Sequence, residues 1–367
     1  MKTPWELLKE SKTKIKTTWR IAFVSALVLG LLIHLPVMLS DIPKHDGLSS
    51  MYFDQNMITS GRWFLTVACG FSSYFTIPWV IGLIGLIWLA LTAAVLTEVL
   101  ELTDPVTISV VSGLLVSFPA LASTFAYVFT MDGYMLALFL AVLAVLFTAK
   151  YPRGYLAGAV CLAFSMGIYQ AYLPFTILLC VYKILLYFME EKGWKEKAKY
   201  VCHYLGMGIA GGVLYYVILQ ILLKLQGRVL DTYQGINSME QMGSGMGILA
   251  TIKEMYVDFL AFTVHGNVLV NNIFSLAACI ILVATVVFLV IRSMIWRKWW
   301  KNPAFFVIMI LLGISMPLLT NVILLISPNL TYHLLMRYQW VLYLILMTAF
   351  ADRYTAEESR TDVVLQW

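Results

Sequence analysis

Charge is what this chain has least of. Only 12% of its 367 residues are Asp, Glu, Lys or Arg, about half the share usual in soluble domains, while 61% are hydrophobic. That balance excludes a water-soluble fold, whose surface must be covered by polar groups. Cysteine is also scarce. Cys69, Cys161, Cys180, Cys202 and Cys279 share no repeated spacing, which excludes a disulfide framework and a CxxC metal clasp and leaves them as small buried apolar residues. Nucleotide loops are missing too. The run Gly243-Ser244-Gly245-Met246-Gly247 is not GxGxxG and follows no strand, so it reads as a flexible linker.

What the chain does have is a series of long apolar runs. They lie at 21–39, 77–100, 106–124, 134–149, 154–169, 173–189, 201–224, 273–291, 304–326 and 338–352. Each is near the roughly 20 residues that cross a bilayer as a helix. The expected fold is therefore an all-α integral membrane protein of about ten transmembrane helices. The expected parts are a basic cytoplasmic segment at 1–20, a membrane domain at 21–352, and a cytoplasmic tail at 353–367. No room is left for a separate soluble domain.

Alternating the runs from an inside amino terminus puts two long segments outside, at 41–74 and 225–272. Lys and Arg are retained on the cytoplasmic side of membranes. Only Lys44, Arg62, Lys224, Arg228, Lys253 and Arg337 fall outside in this scheme, and the other 19 of the 25 basic residues fall inside. The net charge of +5 is thus a topology signal and not a nucleic-acid footprint. The tryptophans at 296, 299 and 300, beside Arg297 and Lys298, read as an interface anchor.

Chemistry is expected on the outer side. The first outer loop holds Asp41, His45, Asp46, Asp54 and Arg62 within 22 residues, at the mouth of a domain otherwise stripped of charge. Ionisable groups at membrane level are costly unless paired or used. A carboxylate there suits proton abstraction from a hydroxyl, and an arginine suits a bidentate grip on phosphate. Asp132 occupies a short outer turn, Thr130-Met131-Asp132-Gly133-Tyr134, where it serves either chemistry or the turn itself. Tyr169 and Gln170 cap the next outer connection. Arg337 opens the last run and needs an anion, such as a lipid headgroup or a bound phosphate. His34, two residues before Pro36, is expected to bond the backbone that the proline frees. Residues 248–263 have helical periodicity with Lys253, Glu254 and Asp258 on the polar side, which predicts an interfacial helix. Asn329-Leu330-Thr331 matches a glycosylation acceptor pattern that is common by chance.

These segments resemble a known family. His45-Asp46-Gly47, Ser60-Gly61-Arg62-Trp63, Thr130-Met131-Asp132-Gly133-Tyr134 and Gly167-Ile168-Tyr169-Gln170-Ala171-Tyr172 are similar to motifs of the bacterial serotype-converting glucosyltransferases of type II, in the multi-pass GT-C class. The resemblance is densest between residues 20 and 190. It implies a polyprenyl-phosphate-linked sugar as donor, typically glucose, and a cell-surface glycan as acceptor. It further implies work on the outer side of the bacterial cell membrane, with a flippase and a donor synthase as companions. The family's essential acid in the first outer loop maps onto Asp46. Where members often carry a second acid after the histidine this chain has Gly47, which leaves Asp132 and Asp54 as candidates for that role.

The resulting expectation is an inverting transferase with Asp46 and Asp132 catalytic, and His45, Asp54, Arg62, Tyr169, Gln170 and Arg337 binding substrate. It needs no cofactor, and a divalent metal is optional in such chemistry. The competing reading is a transporter or flippase, which would favour charges in mid-span and paired broken helices.

Overall fold

The computed structural model describes residues 3, 15–40, 56–70, 77–190, 192–231, 247–266, 268–296, 303–327 and 330–365. His45, Asp46, Asp54 and Asn329 lie outside them. Among the described residues the regular structure is helical, and extended pairing is limited to an isolated bridge between Met57 and Arg62.

The helices are α1 (Thr17–Leu39), α2 (Leu65–Ala68), α3 (Pro78–Leu100), α4 (Pro105–Ser117), α5 (Pro119–Phe125), α6 (Met131–Lys150), α7 (Gly154–Ile168) and α8 (Leu173–Met189). They continue as α9 (Trp194–Gln226), α10 (Ile248–Leu260), α11 (Ile273–Trp296), α12 (Pro303–Thr320), α13 (Ile323–Ile326) and α14 (Val341–Leu365). Seven helices among the described residues are long and apolar enough to cross a membrane, or eight when α4 and α5 count as one span. Two shorter apolar helices, Gly154–Ile168 and Phe306–Thr320, coincide with the other two expected runs. The protein is an all-α, multi-pass membrane protein.

Local chemistry explains the ends. Asp104 caps α4 by accepting the Thr107 N–H at 2.7 Å, with Pro105 in the first turn, where a missing N–H costs nothing. The run at 106–124 is not one straight helix. Pro119 has no N–H to donate and forces Phe118 into an extended conformation (φ −64°, ψ 134°), so α4 and α5 meet at 47°. His34 uses this break. Instead of serving the backbone around Pro36, its Nε2 pairs at 2.8 Å with the carbonyl of Val116, one of the last carbonyls of α4 and without an intrahelical partner. Its ring stacks on Phe125 at 4.2 Å.

The core is built on α3, which packs between α1 and α6; α6 packs on α7, and α7 on α9. A second group, α8, α11, α12 and α14, joins it through α4 and α14. The Tyr338 hydroxyl donates to the Leu115 carbonyl across this junction. Not every cysteine is buried as expected: Cys161 and Cys279 are half-buried and Cys202 is exposed on α9.

The two ends of the bundle differ. At one end, Glu98 receives Lys16 at 2.6 Å and Lys150 at 2.7 Å. Glu101 receives Lys183 at 2.6 Å and Arg353 at 3.0 Å. Glu101 adopts φ 60°, a left-handed conformation unusual for a side chain with a Cβ, and from there its carboxylate bridges α8 and α14. The opposite end carries Arg62.

Candidate active site at the Arg62 end

Arg62 sits on a tight loop rather than a free-swinging one. Its N–H donates to the Met57 carbonyl at 3.0 Å, around a single 3-10 turn at Ile58–Ser60 that Gly61 closes at φ 74°. Trp63 follows and is buried against Phe164 at 5.2 Å. The Phe64 N–H donates to the Gly167 carbonyl at 2.7 Å. The Ser60-Gly61-Arg62-Trp63 motif is therefore an anchor with the arginine at its turn: the indole wedges toward α7 and α9 while Arg62 faces the bundle.

Three other elements meet it. Arg62 Nη1 donates to the Tyr134 hydroxyl at 3.2 Å, from the first turn of α6. The guanidinium lies over the Tyr169 ring at 4.8 Å, and Tyr169 stacks on Tyr134 at 4.3 Å. Such a cation over an aromatic face is held by electrostatics and loses strength only when hydrated. The Gln170 amide donates to the Ser60 carbonyl at 3.2 Å and to the Tyr215 hydroxyl at 3.0 Å, while that hydroxyl donates to the Gly61 carbonyl at 3.0 Å. Gln170 and Tyr215 thus clamp the loop from both sides. A Cβ on Gly61 would lie 2.5 Å from the Tyr215 oxygen and 2.6 Å from the Gln170 amide, so glycine is needed here for space as well as for its φ.

Asp132 is buried in the first turn of α6, 3% exposed, and its Oδ1 accepts the Gly133 N–H at 2.9 Å. A carboxylate in that position is favoured by the helix dipole. The approach of α2 is close: a Cβ on Gly133 would come within 2.5 Å of Cys69 Sγ. Asp132 stands two residues before Tyr134, the α6 residue whose hydroxyl accepts from Arg62. Among the described residues no three His, Cys, Asp or Glu side chains are grouped so as to hold a metal ion.

Beside Arg62 lies a cavity of about 210 Å³. Arg62, Tyr169, Gln170 and Tyr215 line it together with apolar residues, among them Leu173, Ile323, Ile326 and Leu330. Gly212 of α9 also lines it and has no atom within 4 Å of where a Cβ would stand. One cation with its tyrosines and an apolar wall in the same cavity match an amphiphile with an anionic head.

Arg337 does not join this group. Its fork is filled by Asp258, with Nη1 to Oδ2 at 2.7 Å and Nη2 to Oδ1 at 2.6 Å. Tyr332 lies beneath it at 3.9 Å. The anion that Arg337 needs is therefore a side chain of α10 and not a headgroup. This also corrects the picture of α10 as a helix with a polar outer stripe. Lys253 and Glu254 are exposed, but Asp258 turns inward, and Asn321 donates to both the Met255 carbonyl at 2.8 Å and Asp258 at 3.2 Å. At membrane level a bidentate, partly buried pair is cheaper than two separate charges.

Of the expected site residues, Arg62, Tyr169 and Gln170 converge, Asp132 stands in the helical turn that carries Tyr134, Arg337 stands apart, and His45, Asp46 and Asp54 lie outside the described residues. The sequence by itself does not single out Tyr215 or Tyr134 as site residues. Tyr134 stands inside the motif that carries Asp132, so its neighbour was a signal. Tyr215 lies 154 residues from the carbonyl it binds, and its one trace in the sequence is a Tyr215-Tyr216 pair in an apolar helix. No curated protein and no solved structure matches the chain. A family model, described as glucosyl transferase GtrII, matches residues 35–350. With the match running through nearly the whole membrane domain and every element of the Arg62 site, the chain belongs to the GtrII glucosyltransferase family.

Proposed function

We propose that this membrane glycosyltransferase moves glucose from a polyprenyl-phosphate donor to a cell-surface glycan on the outer side of the membrane. The observation that carries the reading is the shared cavity of Arg62 and the apolar residues of α8 and α13. A lipid-linked donor has a phosphate for the first and a hydrocarbon tail for the second, and it brings its own leaving group, so no nucleotide site is required. The charge pattern supports the orientation: the Lys- and Arg-rich bundle end around Glu98 and Glu101 faces the cytoplasm, and the Arg62 end faces out.

In this scheme the glucosyl C1–O bond to phosphate breaks as the acceptor oxygen bonds C1 from the opposite face, which inverts the anomeric centre. The acceptor proton passes to a carboxylate, for which Asp46 is the first choice and Asp132 or Asp54 the second acid. His45, the residue before Asp46 in the sequence, orients the acceptor. Arg62 stabilises the charge that grows on the leaving phosphate, an effect largest where water is excluded. Tyr169 supports its guanidinium from beneath, and Gln170 holds its loop. The Arg337–Asp258 pair serves the site indirectly, by fixing α10 over α12 and α13.

The test is transfer from polyprenyl-phosphate-glucose in liposomes. Asp46→Asn keeps the shape and removes the basic oxygen, and transfer should fall about 10²–10⁴-fold with donor binding retained. Normal transfer by Asp46→Asn would remove this residue as the base. If no outer carboxylate mattered, the transferase reading itself would yield to a flippase.

A further inference from the structure

A buried hydroxyl in a helical bundle ordinarily bonds the carbonyl one turn back, because an unpaired polar group at membrane level is costly. Thr92, Ser112, Thr124, Thr148 and Thr320 all do this. Ser327 does not. It follows the single turn of α13, and Pro328 after it in the sequence holds the preceding residue out of the helical region, at φ −139° and ψ 82°. Ser327 is 3% exposed, and its hydroxyl has no hydrogen-bond partner among the described residues. Asn321 Oδ1 and Gln339 Oε1 are unpaired there too, but fully closed off. The Ser327 oxygen keeps some open surface, and the residue lines the Arg62 cavity, so the hydroxyl opens into that cavity. Ser60 and Thr251 are buried and share the missing partner among the described residues, but neither lines the cavity.

Tyr169 repeats the pattern. Its ring lies under the Arg62 guanidinium and against Tyr134, it is 3% exposed, and it lines the same cavity. Its hydroxyl also lacks a partner among the described residues without being closed off. The Tyr215 hydroxyl, by contrast, is spent on the Gly61 carbonyl and the Gln170 amide. The cavity therefore sets two nearly buried O–H donors beside one guanidinium, within an otherwise largely apolar wall.

We propose that the Ser327 and Tyr169 hydroxyls donate to the phosphate of the lipid-linked donor beside Arg62, which rests on the reading that this cavity holds that donor. The donor is a phosphodiester with one negative charge, and one guanidinium matches it. As the C1–O bond breaks, its electron pair stays on the phosphate oxygen, while the acceptor's proton goes to the carboxylate base. The leaving phosphate thus gains a second charge and a third terminal oxygen. O–H donors already in place and shielded from water stabilise that added charge with little reorganisation. A hydroxyl can rotate to suit its acceptor, and at membrane level it costs less than a second cation would.

Binding of geranylgeranyl phosphate and of geranylgeraniol to the purified chain in nanodiscs tests this, since the two probes differ only in the phosphate. Ser327→Ala and Tyr169→Phe should each weaken the phosphate probe about tenfold or more, the usual effect of losing a hydrogen bond to a charged group. Both should leave the alcohol within about twofold, which also shows that the variants are folded. Thr251→Ala removes a buried hydroxyl outside the cavity and should change neither. The proposal is overturned if either hydroxyl variant binds the phosphate probe as the unaltered protein does, or loses the alcohol equally. If Arg62→Gln still weakens the phosphate probe in that case, the donor reading stands without these hydroxyls. If Arg62→Gln changes nothing, or the unaltered chain does not prefer the phosphate to the alcohol, the donor reading falls as well.

Discussion

Tyr215→Phe isolates the clamp on the Arg62 loop from everything else in the site. The change removes one oxygen and leaves the ring, which packs beside Trp63 at 6.4 Å, so the helix interface is kept. Two hydrogen bonds go with it: the one donated to the Gly61 carbonyl at 3.0 Å and the one accepted from Gln170 at 3.0 Å. Each is worth about 0.5–1.5 kcal/mol net. Their joint loss is thus about 2 kcal/mol, shared between the loop's stability and the placement of Arg62. If all of it fell on the transition state, kcat/KM for the lipid-linked donor would drop about 30-fold. Gln170 keeps its bond to the Ser60 carbonyl, so the loop stays attached and the protein should elute as the wild type does. Gln170→Leu removes the other arm. Because the two side chains share partners, the double variant should lose less than the product of the single losses, with a coupling of about 0.5–3 kcal/mol. A Tyr215→Phe enzyme within twofold of wild type in kcat/KM, or strictly multiplicative losses in the double variant, would refute the clamp.

Three further outcomes are expected. Gly212→Phe should raise KM for a lipid-phosphate donor at least tenfold by filling the open side of the Arg62 cavity, while Gly208→Phe, also on α9 with nothing near it but outside the cavity, should leave KM unchanged; equal effects would deny the cavity a donor. Asp258→Ala should leave the buried Arg337 charge without its carboxylate, at a cost of about 3–5 kcal/mol, seen as a lower unfolding temperature and faster hydrogen exchange in α10; unchanged exchange there would dissociate the ion pair from the anchoring of this helix. For Glu101, burial works to raise the carboxyl pKa, but the Lys183 hydrogen bond and the charges of Lys183 and Arg353 outweigh it and leave the value below the ordinary 4.5. A lowered folded pKa means that its contribution to stability is fully present above the unfolded value and fades as pH falls through the folded one. Unfolding temperatures should therefore fall as the pH is lowered into the acid range below the ordinary carboxylate pKa, and Glu101→Gln should flatten that slope; an unchanged slope would show that other carboxylates govern it.

Composition alone determined the membrane, because a chain with 12% charge and 61% hydrophobic residues can hide its surface nowhere else. Hydropathy placed the apolar middle of each helix, since the bilayer sets span length, but not every end: α9 begins at Trp194, well before its run at 201, and α14 continues to Leu365, through the expected tail. Local chemistry also spoke plainly: Pro119 marked the bend between α4 and α5, and the short motifs singled out Arg62, Asp132, Tyr169 and Gln170. Which residues meet was another matter. The clamp of Tyr215 on Gly61, the pairing of Asp258 with Arg337 and the grip of Val116 on His34 each join points 79 or more residues apart, and no periodicity along the chain encodes such a contact. A single basic residue near the membrane surface reads the same whether its anion is a lipid or a side chain. Only the packing of α10 against the start of α14 brought Asp258 within 2.6 Å of Arg337, and only the tight loop at Gly61 placed Arg62 on the wall of the cavity.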